Sequence, residues 1–262
     1  MSSLNTHEFD GQKYKKASGH QKEWGNKIIS ELNLCGTEYI LDLGCGDGVL
    51  TKELADRTPK GTVLGIDASV GMINAARELE QRNVSFQRMD INEIRFENQF
   101  DLIFSNAALH WVKDHDNLLQ RTYQALKPQG TLRFNFAGDG NCSNFFSVIK
   151  QIMTESSYRE FFDDFEWPWY MPKVDDYREL VERSNFRDVL VWEENSDRYF
   201  KNKDEMIRWI EQPSVVPFLK YLPEDGKRGF VDEVIKRMIE RTEQPDGTCF
   251  ETFRRINVLA RK

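Results

Sequence analysis

The feature that most constrains the fold is a short apolar run that ends in a cluster of glycines. The run Tyr39–Leu43 is long enough for one buried strand, and Gly44, Gly46 and Gly48 follow it at alternate positions. A buried parallel strand reads as a nearly continuous apolar run, and glycine ends it because glycine adopts backbone conformations that other residues avoid. The pattern predicts a strand, a tight turn and a helix at about 49–56, which is the opening unit of an α/β fold.

The same alternation of strand and helix continues along the chain. An amphipathic helix at about 24–34 precedes the first strand, and a turn at 127–130 precedes the fifth. Strands that alternate with helices at this spacing form a parallel sheet covered on both faces. We therefore predict a doubly wound, mostly parallel α/β sheet of seven strands. The predicted strands are 39–43, 62–66, 84–87, 100–105, 131–136, 188–192 and 251–260.

Composition narrows the classes of function. At 262 residues the chain is long enough for one full core. Its net charge of -7 argues against attraction to nucleic-acid phosphates, so we expect a small-molecule substrate and no nucleic acid. The sequence has no long apolar run and no secretory signal, so we expect no membrane association and a cytoplasmic location. The four cysteines have no metal or redox spacing, and no metal is expected. The protein is expected to be a monomer or a homodimer.

Acidic residues at the glycine turn discriminate between two kinds of cofactor. A dinucleotide site reads G-x-G-x-x-G and holds a pyrophosphate at the helix N-terminus, but the third glycine here is Gly48 and position 49 is valine. Asp42 and Asp47 bracket the turn with negative charge that would repel a pyrophosphate. S-adenosylmethionine has no phosphate and carries an ammonium and a sulfonium group, so it suits the turn better. The alternative is a tight turn that binds nothing.

Two further acidic residues, Asp67 and Asp90, lie at the carboxyl ends of the second and third predicted strands. Asp67 ends the second strand about 20 residues after the glycines, where a carboxylate accepts hydrogen bonds from ribose hydroxyls. Its alternative role is a helix N-cap. Asp90 and Ile91 follow the third strand and would offer a carboxylate to an adenine amino group and an apolar wall to its ring. The glycine turn, Asp67 and the pair Asp90 and Ile91 together predict contacts to the methionine, ribose and adenine parts of one cofactor.

These motifs resemble, in order, those of the class I S-adenosylmethionine-dependent methyltransferases. The resemblance rests on residues 42–48, 65–69, 72–73, 90–91 and 126–130, and it spans roughly 14–136. It implies a Rossmann-like fold and an enzyme that uses S-adenosylmethionine and releases S-adenosylhomocysteine. The cofactor contacts that it implies are Tyr14, Asp42, Gly44, Cys45, Gly46, Asp67, Ala68, Met72, Asp90, Ile91, Asn106 and Ala107.

A narrower resemblance is to trans-aconitate and juvenile hormone acid methyltransferases. It rests on residues 105–111 and on the N-terminal pattern at 14–25, which resembles the lid that folds over the cofactor in those enzymes. They esterify small carboxylic acids, so the resemblance implies O-methylation of a carboxylic acid, with Gln21, His110 and Trp111 facing the substrate. Malonyl-carrier-protein methyltransferases and natural-product enzymes share nearly the same segment. A C- or N-methyltransferase of secondary metabolism and a non-catalytic S-adenosylmethionine-binding protein are therefore alternatives.

His110 has more than one candidate role. An ionised carboxylate needs no general base, whereas a hydroxyl or a protonated amine does, so His110 either acts as a base or orients the substrate. The structural alternative is that His110 and Trp111 only pack in the core. His20 and His115 are expected on the surface. The candidate anchors for an acidic substrate are Arg208, Lys220, Arg237, Arg254 and Arg255.

The chain is expected to divide into a core and an inserted cap. The regular pattern loosens after residue 136, and the aromatic stretch 161–170 is either the cap's own core or part of a pocket for a substrate with apolar parts. We expect the helical cap to be inserted after strands 5 and 6. The expected parts are 1–36 for the lid and first helix, 37–137 for the cofactor-binding core, 138–185 and 200–249 for the substrate-binding cap, and 186–199 and 250–262 for the C-terminal strands.

Overall fold

The computed structural model describes residues 19–262. The strands are β1 (Tyr39–Leu43), β2 (Thr62–Asp67), β3 (Val84–Arg88), β4 (Phe100–Asn106), β5 (Leu126–Ala137), β6 (Arg187–Asn195), β7 (Arg198–Phe200), β8 (Cys249–Glu251) and β9 (Arg254–Arg261). The helices are α1 (Gly19–Glu31), α2 (Val49–Arg57), α3 (Val70–Arg77), α4 (His115–Ala125), α5 (Ser143–Met153), α6 (Val174–Glu182), α7 (Lys203–Trp209), α8 (Val216–Leu219) and α9 (Glu224–Thr242). Short helical turns lie at Ile91–Glu93, Leu109–Trp111, Arg159–Phe162 and Ile210–Ser214.

Within the described residues the main sheet has seven strands in the order β3-β2-β1-β4-β5-β9-β6. The pairs β1 with β2, β1 with β4, β2 with β3 and β4 with β5 are parallel, and β9 runs antiparallel to β5. The predicted doubly wound, mostly parallel seven-stranded sheet is confirmed. The strand order reverses between β1 and β4, and ligands of open α/β sheets bind at the carboxyl ends of the strands beside such a reversal.

Successive residues of β1 face opposite sides of the sheet, as the pleat of a strand requires. Ile40 is fully buried in a cluster with Ile28 and Ile29 of α1, to which α2 and α3 also contribute. Leu41 is fully buried in a second cluster with Leu119 of α4, to which α6 also contributes. Helices cover both faces, so the turn after β1 is held at the carboxyl edge between two packed layers.

The chain forms two compact units, and their boundaries differ from the expected division. Among the described residues, the first unit includes 169–194 as well as 19–139 and 255–262, and the second consists of 140–168 and 195–254. Residues 169–185, expected in the cap, belong to the first unit because Tyr177 and Val181 of α6 are buried in the core of the sheet. The second unit also contains a two-stranded sheet of β7 and β8 that the sequence pattern did not predict.

Smaller differences concern the ends of elements. Helix α1 begins at Gly19 and ends at Glu31, earlier than the predicted 24–34. The last predicted strand is two strands, β8 and β9, and β5 begins at Leu126, so it includes the predicted turn at 127–130. The backbone is irregular there, because Gln129 has a φ of 70°. No helix among residues 19–262 is long and apolar enough to cross a membrane.

Candidate functional site

The glycine turn folds back on β2 and leaves open space on one side. The amides of Gly44 and Cys45 both donate to the carbonyl of Ile66, at 2.8 and 2.9 Å. Gly44 has a φ of 71°, and a Cβ atom built on it would lie 2.2 Å from the Cβ of Ala108. Gly46 has a φ of 55°, and a Cβ atom built there would meet no atom within 4 Å. Gly44 therefore packs closely against the segment after β4, whereas Gly46 borders open space.

Asp67, at the end of β2, holds the turn through its carboxylate. One oxygen, Oδ2, accepts from the amide of Gly46 at 3.0 Å, and Oδ1 accepts from the amide of Ser69 at 2.9 Å. The N-cap of α3 is Ser69, whose hydroxyl accepts from the amide of Met72 at 3.3 Å. Asp67 is thus not the N-cap of α3, and its half-buried carboxylate lies at the turn.

Asp42 and Asp47 carry less unbalanced charge than their sequence positions suggest. Asp42 is 2% exposed and accepts a hydrogen bond from the Thr51 hydroxyl at 2.6 Å. Burial raises the pKa of Asp42 to about 7. Asp47 forms an ion pair with Lys22 of α1 at 2.7 Å. The predicted repulsion of a pyrophosphate by these two residues is therefore weaker than expected, because one carboxyl is partly protonated near neutral pH and the other is paired with a cation.

The other residues predicted to face the cofactor differ in exposure. Cys45 and Met72 are buried, and burial raises the pKa of the Cys45 thiol. Ala68 is half-buried, and its carbonyl accepts from Arg88 at 3.1 Å. Asp90 caps the short helix Ile91–Glu93 by accepting from the amide of Asn92 at 2.8 Å. Ile91 is half-buried, and a Cβ built on Gly44 would lie 3.9 Å from its Cδ1 atom, so the glycine turn and the segment after β3 approach each other.

The segment after β4 lies beside the glycine turn, at the reversal of strand order. Asn106 is the buried last residue of β4, and Ala107 has a φ of 57° with its amide bonded to the carbonyl of Asn135 at 2.7 Å. Helix α1 approaches it closely, since a Cβ built on Gly25 would lie 3.1 Å from Nδ2 of Asn106. The turns after β1 and β4 therefore form one continuous site with α1 against it.

His110 and Trp111 lie on the helical turn Leu109–Trp111. The Trp111 ring packs against Trp169, with ring centroids 5.3 Å apart. Burial, with a smaller contribution from the positive charge of Arg255, lowers the pKa of His110 to about 3. Its Nδ1 atom is buried and has no hydrogen-bond partner among the described residues. His110 is therefore neutral at neutral pH and a weak base.

A polar stripe on β5 and β9 brings the candidate anchor Arg255 together with two asparagines, Asn135 and Asn257, that were not predicted for the site. Arg255 is 3% exposed, its guanidinium lies 4.7 Å from the ring centre of Trp24, and its Nη2 donates to Oδ1 of Asn135 at 2.7 Å. Asn135 in turn donates to Asn257 at 2.9 Å. The sequence contained a signal for this stripe, because polar and apolar residues alternate over 131–136 of β5 and over 255–258 of β9. On each strand, residues two apart share a face, so Arg255 and Asn257 lie on one face of β9.

The other candidate cations have different surroundings. Arg237 pairs with Glu155 and Glu233, at 2.5 and 2.6 Å, and Arg254 pairs with Asp197. These pairs lie within the second unit. Arg208 and Lys220 are exposed. Of the five candidates, only Arg255 belongs to the first unit and is buried.

Two sequence expectations need correction. His115 is 3% exposed and not at the surface, because its ring lies between Tyr170 and Phe136. The aromatic stretch 161–170 is divided between the units. Phe162 is buried within the second unit, as a cap core would require, whereas Trp169 packs on Trp111 in the first unit.

Tyr14 and Gln21 were also expected at the site, and no metal was expected there. Tyr14 is outside the described residues, and Gln21 lies on α1. Among residues 19–262, no three histidine, cysteine, aspartate or glutamate side chains come together as a metal site. The expectation that no metal is used stays a prediction.

Comparisons with known proteins agree with this arrangement. Residues 40–130 match the methyltransferase domain family. The chain is 29% identical to an uncharacterized methyltransferase of Schizosaccharomyces pombe, over 97% of this chain and 98% of the relative. It is 26% identical to a trans-aconitate 2-methyltransferase of Mycobacterium tuberculosis, over 96% of each chain. The protein is a class I S-adenosylmethionine-dependent methyltransferase. It is related to the trans-aconitate 2-methyltransferases.

Solved structures show the same fold for this methyltransferase. Phosphoethanolamine N-methyltransferase 2 of Haemonchus contortus, solved with phosphomonomethylethanolamine and S-adenosylhomocysteine, superposes with a TM-score of 0.61 at 22% identity. The superposition covers 96% of the present chain and 56% of the larger Haemonchus enzyme. At this identity the likeness supports the fold, and function is argued from the site.

Proposed function

We propose that this methyltransferase transfers a methyl group to a carboxylate oxygen of a small organic acid. The observation that carries the proposal is the placement of His110 on the helical turn after β4, where its buried Nδ1 atom has no hydrogen-bond partner among the described residues and burial lowers its pKa to about 3. An acceptor that ionises by itself at neutral pH needs no base, and a carboxylic acid does so.

The residues at the turn fit S-adenosylmethionine. Open space beside Gly46 leaves room for a ligand against the backbone. A carboxylate oxygen accepts more than one hydrogen bond, so Asp67 can hold the Gly46 amide and accept from ribose hydroxyls as well. The proposed cofactor contacts in the described chain are Asp42, Gly44, Cys45, Gly46, Asp67, Ala68, Met72, Asp90, Ile91, Asn106 and Ala107. Tyr14 is a further proposed contact.

When bound, S-adenosylmethionine supplies a methyl group already activated by its sulfonium, and the transfer is an in-line displacement. The protein's main tasks are to place the nucleophile and to keep water out. His110 and Trp111 are proposed to face the acceptor, together with Gln21. The buried Nδ1 atom of His110 has no partner among the described residues, so it is suited to a hydrogen bond with the acceptor.

Arg255 is proposed to supply positive potential for the acidic acceptor. Its charge contributes to the lowered pKa of His110, so the same field acts on any group bound beside His110. A field that disfavours a cation favours an anion. The M. tuberculosis relative is named for a tricarboxylic acid, which supports the same acceptor class.

Transfer to nitrogen or carbon is the alternative chemistry. A protonated amine or a carbon acid must lose a proton before or during transfer, and His110 with a pKa of about 3 is poorly suited to accept it. The site therefore supports these acceptors less well than a carboxylate.

The experiment is an acceptor panel of matched compounds that share a carbon skeleton and carry a carboxylic acid, a primary alcohol, a phenol or an amine. Transfer from methyl-labelled S-adenosylmethionine is measured for each at several pH values. We expect turnover of the acids only. In the Asp42→Asn enzyme, which lacks the carboxyl with a pKa of about 7, kcat/KM should be independent of pH between about 6 and 9, since the acid is ionised and no base must be deprotonated.

Two results would contradict the proposal. One is turnover confined to amines, phenols or carbon acids. The other is a rate on acids that rises with pH around 6 to 7 in Asp42→Asn as well as in the wild type, because this would indicate a titrating base with an ordinary histidine pKa and not the carboxyl of Asp42.

A further inference from the structure

The helical turn that carries His110 and Trp111 is held by hydrogen bonds to its backbone carbonyls. The carbonyl of Leu109 accepts from Nε2 of His115 at 3.1 Å. The carbonyl of His110 accepts from the amide of Tyr170 at 2.8 Å. The turn is therefore bonded both to α4, which follows it in sequence, and to the segment that leads into α6.

His115 has a defined tautomer in this arrangement. A carbonyl oxygen only accepts, so Nε2 of His115 carries the proton that it donates to Leu109. The other ring nitrogen, Nδ1, is then an acceptor, and the hydroxyl of Tyr177 lies 2.9 Å from it. The bonds run in one direction, from the Tyr177 hydroxyl to His115 and from His115 to Leu109.

Both side chains are deep in the core of the first unit. Tyr177 is fully buried and His115 is 3% exposed, and the His115 ring contacts Tyr170 with centroids 4.6 Å apart. Burial lowers the pKa of His115 to about 4, so the ring is neutral at neutral pH and can keep one donor and one acceptor. A buried tyrosine hydroxyl needs a hydrogen-bond partner, and His115 supplies it.

Packing alone does not require a histidine at position 115. An apolar side chain at position 115 would fill the same volume among Phe136, Tyr170 and Tyr177 without a buried polar group. The histidine instead connects α6, whose Tyr177 lies 62 residues away in sequence, to a carbonyl next to the residues proposed to face the acceptor.

We infer that His115 and Tyr177 are positioning residues that hold the Leu109–Trp111 turn in place for methyl transfer. The inference rests on the proposed role of His110 and Trp111 beside the acceptor. It concerns any acceptor bound there, so it does not require that the acceptor be a carboxylic acid.

The kinetic test compares Tyr177→Phe, His115→Gln and His115→Leu on the best acceptor found for the wild-type enzyme. Tyr177→Phe removes only the hydroxyl. His115→Gln keeps a side-chain donor that can reach the Leu109 carbonyl, and His115→Leu has none. Tyr123→Phe is the control for removal of a tyrosine hydroxyl, because Tyr123 lies on α4, as His115 does, but packs on Phe186.

We expect Tyr177→Phe and His115→Leu to lower kcat/KM for the acceptor by about ten- to a hundredfold, as a small misplacement of reacting groups does. The Kd for S-adenosylmethionine should change by less than about twofold, and His115→Gln should recover most of the loss. Equal activity of Tyr177→Phe, Tyr123→Phe and the wild type, or no difference between the His115→Gln and His115→Leu enzymes, would overturn the inference.

A second measurement covers the case in which a variant at position 115 does not fold. Nitrogen-15 NMR of the histidine rings at neutral pH distinguishes protonated from unprotonated ring nitrogens. The His115 signals are assigned by replacing the other three histidines, His7, His20 and His110, one at a time with glutamine. We expect His115 to carry its proton on Nε2, and we expect its Nδ1 signal to shift in Tyr177→Phe. A proton on Nδ1, or a His115 signal that Tyr177→Phe leaves unchanged, would overturn the inference whatever the acceptor is.

Discussion

The Oδ2 atom of Asp67 accepts a hydrogen bond from the amide of Gly46 at 3.0 Å. This contact joins the ends of β1 and β2 and gives the carboxylate a fixed place beside the open side of the glycine turn. A carboxylate fixed before the ligand arrives loses little conformational entropy on binding. The contact therefore links the fold directly to the proposed cofactor site.

Replacing Asp67 with alanine should weaken S-adenosylmethionine binding by on the order of 1–3 kcal/mol, because ribose hydroxyls and the Gly46 amide would lose their acceptor. Titration calorimetry measures the change. Asp56→Ala is the control, since Asp56 is exposed at the end of α2 and pairs with Lys52. If Asp67→Ala binds S-adenosylmethionine as tightly as the control variant does, Asp67 does not contact the cofactor.

Gly46→Ala tests whether the cofactor occupies the open space beside the glycine turn. A matched glycine elsewhere controls for the backbone strain that alanine introduces. An L-residue in the left-handed region costs roughly 1–2 kcal/mol, and the new methyl group would enter the open space. Gly247→Ala is matched, because Gly247 also has a positive φ, of 81°, with no atom within 4 Å of a built Cβ, but lies in the second unit.

Both glycine variants should lose similar stability in thermal unfolding. Only Gly46→Ala should weaken binding of S-adenosylmethionine, by about tenfold or more, as steric overlap in a packed site does. If both variants bind the cofactor as the wild type does, the open space is not the place where the cofactor lies.

Asp42→Asn should change how stability depends on pH. Burial raises the pKa of Asp42 from 3.8 to about 7, so the folded protein binds this proton more tightly than the unfolded chain does. The contribution of Asp42 to stability therefore falls as pH rises from about 4 to 7. Asparagine does not titrate and still offers an acceptor to Thr51.

The free energy of unfolding of Asp42→Asn relative to the wild type should thus increase by on the order of 4 kcal/mol between pH 4 and pH 8 in the absence of cofactor. Denaturant unfolding at several pH values measures it, with the exposed Asp56→Asn as control. A constant difference across this range would show that Asp42 titrates normally.

Arg255→Gln tests the proposed positive potential by removing the charge. Glutamine keeps a side-chain donor for Asn135 but has no cation to lie over Trp24. We expect KM for a carboxylic acid to rise by about tenfold, because an anionic acceptor loses a nearby buried positive charge, with little change in cofactor affinity. The neighbouring Arg254→Gln, whose arginine pairs with Asp197, should leave KM unchanged. Equal KM values in the two variants would exclude Arg255 as the anchor.

Local patterns were sufficient to predict much of the fold. The apolar run predicted β1 at its observed bounds, Tyr39–Leu43, because a buried parallel strand leaves a continuous apolar signal. The three-residue strand β7 was missed, and β8 was merged with β9, since so short a segment carries no periodicity. Helix α6 was assigned to the cap because its burial depends on packing against a sheet built from distant residues.

The site was predictable where it depends on the chain next to a strand end, and not where it depends on long-range contacts. Asp67 was singled out from its spacing after the glycines, and its carboxylate lies at the glycine turn. The ion pair of Asp47 with Lys22 spans 25 residues, and the bond of His115 to Tyr177 spans 62. His115 stands between Asp114 and Asp116, which made a surface position the natural expectation.

The most direct test of the proposed chemistry is the base lability of the methylated product. The enzyme is incubated with methyl-labelled S-adenosylmethionine and a set of small carboxylic acids, including trans-aconitate, and the labelled product is treated with dilute base. A methyl ester hydrolyses and releases labelled methanol, and this is the result we expect. Label that stays bound to the acceptor would show transfer to nitrogen, carbon or an ether oxygen and would contradict the account.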